Sequence, residues 1–178
     1  MVRLTSATLT LCVLVLVGCS QKQDPPKVFG VSMGDPLSSL ADVTQIKQDP
    51  QANFALVNFA FKPHEPNAVF SQYAAFVTTH RRVCQIKAQT PGAPSGQAPA
   101  ITSEQFGAVK DALIEKYGRP ADIGFGAYSW ERRSAGVKLP DTIDVVMLHY
   151  MPDSGDIAVT YNFSNFSDCA KENRASGL

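Results

Sequence analysis

Cysteine, histidine, aspartate and arginine are the side chains here that can do chemistry, and their spacing sorts them. The histidines His64, His80 and His149 stand alone, with no HxxxH or HExxH pair to hold zinc. No GxSxG elbow offers a serine nucleophile, and no glycine-rich loop between a strand and a helix offers a phosphate cradle. GFGAY, residues 124–128, has glycines but no following helix, and reads as a bend before a strand. Asp141 and Asp144 are close in sequence. If 141–150 is a strand, an odd spacing sends them to opposite faces, where they cannot share a proton. Asp153 and Asp156 flank a stretch rich in turn residues; a weak calcium site is the functional alternative there, and the plainer reading is a turn. Arg81-Arg82 and Arg132-Arg133 are the adjacent arginine pairs, each near an expected strand end. They are candidates for contact with an acidic partner or lipid headgroups, against the plainer reading of solvated hairpin ends. No catalytic group, cofactor site or metal site is expected, and the chain reads as a non-enzyme.

The four cysteines, Cys12, Cys19, Cys84 and Cys169, depend on their surroundings. Arg3 gives a basic start, and Leu4 to Val17 is an apolar stretch diluted by Thr5, Ser6, Thr8 and Thr10. That is the shape of a secretory signal, and it falls short of the roughly 20 apolar residues of a membrane-spanning helix. Leu16-Val17-Gly18-Cys19 resembles the lipobox of bacterial lipoproteins. The resemblance implies diacylglyceryl transfer to the Cys19 thiol, cleavage after Gly18 and acylation of the new amino group. It covers the signal region and identifies no globular family. Two or more acyl chains on one cysteine give stable anchoring, since each buried methylene contributes about 0.8 kcal/mol. In such lipoproteins an aspartate after the cysteine tends to retain the protein in the inner membrane. Ser20 is permissive, so with a Gram-negative source the resemblance implies the outer membrane, facing the periplasm.

Cleavage removes Cys12 with the signal, and lipid consumes Cys19. Cys84 and Cys169 remain, an even pair in an oxidising compartment, and a Cys84–Cys169 disulfide is expected. Two unpaired buried thiols are the alternative. No cysteine or histidine stands at metal-ligand spacing from either one. Loss of Arg3 takes the 16 basic side chains to 15 against 16 acidic ones. A near-neutral chain with no basic run argues against nucleic acid as a partner.

The elements that must position these residues follow from pattern. Residues 19–27 read as a lipidated tether, residues 28–172 as one domain with an exposed Pro/Gly/Ala-rich loop at 89–101, and 173–178 as a tail. Asp35-Pro36 offers a helix start, with Leu37, Leu40 and Ala41 on one face. Residues 53–61 and 83–88 read as strands; residues 69–78 fit a helix, with Phe70, Tyr73, Ala74 and Val77 on one face, or a strand, and the short THRR turn into VCQIKA favours the strand. Thr102 to Gln105 has the capping-box pattern, and Phe106, Val109, Leu113, Ile114 and Tyr117 make a helical stripe ended by Gly118 and Pro120. Lys110 lies off that stripe. AYSWERR, TIDVVMLHYM and DIAVTYNF read as three more strands. The expected fold is α+β: an antiparallel sheet of about six strands with two helices on one face, and a helix-then-strands order repeated in two halves.

These features favour a lipid-anchored, periplasm-facing binding or scaffolding module, held to the membrane through Cys19 and directed at an envelope protein or cell-wall component. The alternative is an inhibitor or immunity protein that blocks an envelope enzyme with the 89–101 loop.

Overall fold

The computed structural model of the chain describes residues 25–46, 58–90, 103–151 and 155–175. The fold is α+β, with a single antiparallel sheet and two α-helices. In chain order the strands are β1 (Ala41–Gln45), β2 (Asn58–Lys62), β3 (Gln72–Val77), β4 (Val83–Gln89), β5 (Ala121–Gly124), β6 (Ala127–Glu131), β7 (Ile143–Met151) and β8 (Asp156–Phe163). Helix α1 (Ser103–Tyr117) lies between β4 and β5, and α2 (Phe166–Ala175) closes the chain. The strand order is β1-β2-β3-β4-β8-β7-β6-β5. Two four-stranded meanders therefore meet last strand to last strand, with β4 antiparallel to β8.

The sheet has eight strands where about six were expected, and both additions are edges. β1 and β5 are the outermost strands, and β5 is exposed at every residue. A strand with neither face buried carries no alternation for a sequence pattern to detect. The two strands read from alternation form as β4 and β8, the stretch read as a strand from the following turn forms as β3, TIDVVMLHYM forms β7, and β6 forms within AYSWERR. β2 forms over the second half of its expected span, and 53–57 lies outside the described residues.

The expected helix after Asp35 is a single 3-10 turn, Leu37–Ser39. Pro36 sits at ψ 140 with no side-chain cap, because the Asp35 carboxylate accepts backwards from the Ser32 N–H at 2.8 Å. One tight turn is enough to bury Leu37 and Leu40, and the chain then enters β1. The repeated order of one helix and three strands is corrected accordingly. Each half has four strands, and only the second begins with an α-helix. The second α-helix is C-terminal and runs three residues into the expected tail. Its Asn173 is 1% exposed and donates to the Val77 carbonyl at 3.0 Å. Acidic Asp168 in its first turn and basic Arg174 in its last suit the helix dipole.

Cross-strand register explains the core. Phe59, Ala75, Ile86, Tyr161, Val146 and Trp130 form one continuous rung across six strands, on the face that α1 covers. Phe106 of α1 stacks on Tyr150 with centroids 4.8 Å apart, and Leu113 and Tyr117 are buried. Val109 and Ile114 pack partly buried against the same core. The helix ends where expected. Gly118 takes φ +87, and a Cβ there would collide with the Gly136 carbonyl oxygen. The Trp130 indole N–H donates to the Gly118 carbonyl at 2.6 Å, tying the cap to the core. Thr102 lies outside the described residues. Among the described residues no helix is long and apolar enough to cross a membrane.

Lys110, though off the apolar stripe, places its ammonium 4.9 Å from the Tyr128 ring centroid, so it is not an inert position. Exposed Asp111 is the better reference. Leu113→Ala should destabilise the protein by about 2–5 kcal/mol in urea unfolding, whereas Asp111→Ala should stay within about 0.5 kcal/mol of wild type. Equal effects would mean that α1 presents a different face.

Candidate functional site: an apolar cleft under the long helix

A cleft of about 520 Å³ opens between α1, residues 27–29 and the 65–70 segment. Its floor comes from β8, through Val159 and Tyr161, and its walls from Val28, Phe70, Leu113 and Tyr117, all buried. Lys27, Glu65, Gln105 and Lys116 also line it and are exposed, so the charged groups ring the mouth. The cleft offers one carboxylate, two ammonium groups and no histidine or thiol among its described lining residues. Such a site can enclose an apolar body and orient a polar end.

Phe29 is the least expected part of the wall. Val28 and Val31 exchange two backbone hydrogen bonds, 2.8 and 3.0 Å, across a two-residue turn. Both turn residues are left-handed, Phe29 at φ 54 and Gly30 at φ 83. Glycine adopts that region freely, whereas a phenylalanine there costs on the order of 1–2 kcal/mol. What holds it is aromatic packing: its ring meets Phe70, Tyr73 and Tyr161 edge-on at 6.1, 5.1 and 5.9 Å. The Tyr73 hydroxyl accepts from the Asn67 N–H at 2.9 Å and fixes the opposite wall. Phe29 was not singled out in the sequence. The sequence reading of this stretch was a helix start at Asp35-Pro36, and it did not register the turn that presents Phe29.

Tyr161 is buried beside Tyr117. Burial pushes its phenol pKa well above the ordinary tyrosine range, and the charge and hydrogen bond of Tyr117 add to the rise. The floor of the cleft therefore holds a neutral phenol at any physiological pH.

The other singled-out residues lie apart from the cleft. Cys84 and Cys169 are joined as a disulfide, Cα to Cα 6.5 Å, which fastens α2 to β4. Arg81 and Arg82 lie on the β3–β4 turn, with the Arg82 guanidinium 3.3 Å from the Gly34 carbonyl. Arg132 follows β6 at the same end of the sheet, with strands β8 and β7 between the two turns. It forms an ion pair with Asp144 at 2.7 Å and approaches Asp141 at 3.9 Å. Those two aspartates thus converge on one guanidinium, contrary to the expectation from strand alternation. Asp141 precedes β7, and alternation does not apply to it. Arg133 and Arg81 are exposed. His64, His80 and His149 are not brought together, and no cluster of three or more His, Cys, Asp or Glu able to hold a metal occurs among the described residues. Cys19 and residues 91–101 of the long loop lie outside the described residues. Comparison with protein-family models, curated proteins and solved structures finds no match to the chain.

The raised Tyr161 pKa has a signed consequence. A phenol that holds its proton more tightly when folded contributes stability fully below the unfolded value, about pH 10, and loses it as pH rises further. Tyr161→Phe removes that loss. It should cost about 0.5–1.5 kcal/mol at pH 7 through the missing hydrogen bond, yet show a shallower fall between pH 10 and 12 in urea unfolding. Parallel pH profiles for the two proteins would show that Tyr161 does not govern the alkaline limb.

Proposed function

We propose that the chain is a lipid-anchored, periplasm-facing envelope lipoprotein that works as a non-catalytic binding or scaffolding module. The observation that carries the binding reading is the cleft under α1, whose interior is apolar and whose polar groups stand at the mouth. Binding needs that arrangement, whereas acid–base or nucleophilic catalysis needs paired titratable groups within hydrogen-bond reach inside the site. The anchor reading rests on Leu16-Val17-Gly18-Cys19, with the disulfide fitting an oxidising compartment. The cleft mouth includes Lys27, the end of the expected tether, so a bound partner would sit close to the membrane attachment. With a Gram-negative source, Ser20 is permissive for the outer membrane and favours placement there.

The inhibitor or immunity reading retains one favouring observation. The base of the 89–101 loop is fixed: Thr90 is buried, its N–H donates to the Ile157 carbonyl, and its hydroxyl accepts from the Ile157 N–H, both at 3.0 Å. A plug loop needs such a root. Arg81, Arg82, Arg132 and Arg133 remain candidate contacts for an acidic partner under either reading, with Arg81 and Arg133 the more available.

One experiment tests anchor and binding together: photo-crosslinkers at exposed Ala108 and Ala112 of the cleft, in wild type and in Cys19→Ala. Wild type should pellet with membranes and give a discrete cross-linked envelope component. Cys19→Ala should appear in the soluble periplasmic fraction or as unprocessed precursor. A processed variant that still pellets like wild type refutes the anchor, and an absence of cross-links at both positions refutes binding in the cleft.

A further inference from the structure

We infer that the sheet face opposite α1 carries a second site, a groove over β2, β3 and β4 that binds an oligosaccharide. This deepens the reading of an envelope-facing binding module and rests on it.

Register places three rungs on this face. The first runs Asn58, Phe76, Gln85, Asn162. The second runs Ala60, Ala74, Lys87, Thr160. The third includes Gln72, Gln89 and Ala158. Two alanines in the middle rung, between taller amide and aromatic side chains, leave a trough. It encloses about 470 Å³ and is bounded at the β1 end by Ile46.

The polar chemistry of the trough is that of carboxamides. Gln89 Nε2 donates to Gln72 Oε1 at 2.8 Å. Beside the trough, Gln85 Nε2 donates to Asn162 Oδ1 at 2.6 Å. Each carboxamide has two donor hydrogens and two acceptor positions, so one internal bond orients the group and leaves most of its capacity. Asn58 lines the trough as well, and its Oδ1 is a buried acceptor with no hydrogen-bond partner among the described residues. An acceptor left so is destabilising, and a ligand hydroxyl that reached it would satisfy it. Phe76, half-buried, adds a ring at the side of the trough.

This chemistry selects among ligand classes. A sugar hydroxyl both donates and accepts, as does a carboxamide, so pre-oriented amides match a polyhydroxyl chain, and an aromatic ring suits the apolar face of a sugar ring. A polyphosphate or nucleic acid needs several cations, and among the described residues that line the trough Lys87 is the one charged side chain. An extended peptide binds a sheet by adding a strand to an edge, whereas β3 is interior, with its backbone paired to β2 and β4. Lys87 is placed to meet one carboxyl or N-acetyl oxygen on a sugar. Both the glycan strands of a cell wall and the oligosaccharide of a lipid-borne glycan present these groups.

The test is isothermal titration of the full mature chain, lipidated and in detergent micelles, with four probes: an N-acetylglucosamine tetramer, delipidated lipopolysaccharide core oligosaccharide, maltotetraose and an acidic tetrapeptide. Saturable binding of the first or second probe is expected, in the high micromolar to millimolar range. The first indicates a wall strand and the second a lipid-borne glycan, and maltotetraose should bind more weakly than either. Ala74→Phe, which fills the trough, should abolish binding. Gln72→Ala with Gln89→Ala, on the solvent side of the sheet, should weaken it about tenfold. Ala108→Phe in the other cleft should leave it unchanged. No sugar binding, preference for the peptide, or sugar binding that survives the double amide variant overturns the inference. Membrane fractionation of the same samples is independent of these results, so a failed sugar site is distinguishable from a failed anchor.

Discussion

Five residue pairs, from Gln85↔Asn162 to Gln89↔Ala158, join β4 to β8, and the remaining architecture depends on that seam. Each meander alone would end in an unpaired strand with an apolar face, β4 in one half and β8 in the other. Pairing them removes both open edges and makes the Ile86–Tyr161 contact the middle of a six-strand apolar rung. The disulfide reinforces this region. It joins β4 to the helix that follows β8 and closes a loop of 85 residues. A crosslink over that span lowers unfolded-state entropy by the equivalent of about 4–5 kcal/mol in the chain-entropy picture, before any strain is counted. The long crossover through α1 follows from the same constraint: β5 must start at the far edge for its meander to end beside β4.

The sheet's two faces have different chemistry. One is apolar and covered by α1, and the cleft arises where that cover is incomplete, beside the strained Phe29 turn. The other carries amides and small residues in cross-strand register. Apolar burial explains the first face. It does not explain Gln85, buried at the centre of the second and bonded to Asn162 across the seam. A buried amide pair is stable when both partners are satisfied, and it fixes register, because a one-residue slip would send Gln85 to the apolar side. The amide ladder thus specifies the seam as well as shaping the trough.

Legibility in the sequence tracked burial. α1 was legible from its stripe and its glycine cap, and β4 and β8 from alternation, because each has one face in the core; β2 was read from its density of Phe and Val, and β3 from the short turn that follows it. β1 and β5 were not, since their residues are largely exposed and no period is imposed. The turn at Leu37 was misread because two leucines three apart satisfy a helix and a 3-10 turn equally. α2 was missed because its inward-facing residues are Cys169 and Asn173 rather than a hydrophobic stripe. The disulfide was legible from cysteine count, once the expected signal and lipidation set Cys12 and Cys19 aside. The cleft was not, since Phe29, Phe70 and Tyr161 come from three separated segments that only the fold assembles. The hairpin tip between β5 and β6 was read as a bend, but not as the place where Phe125 stands 98% exposed beside Ile123 at 56%.

The central claim is that the β4–β8 seam makes the two meanders one cooperative unit. Native-state hydrogen exchange measured strand by strand, with the disulfide intact, tests it most directly. Amides of β3, β4, β7 and β8 should exchange through a single global opening, with one free energy that equals the unfolding free energy from urea and falls equally for all four strands as urea is added. Two distinct opening free energies, one shared by β3 and β4 and a different one by β7 and β8, would contradict it and mean that the halves fold as separate units held together by the disulfide.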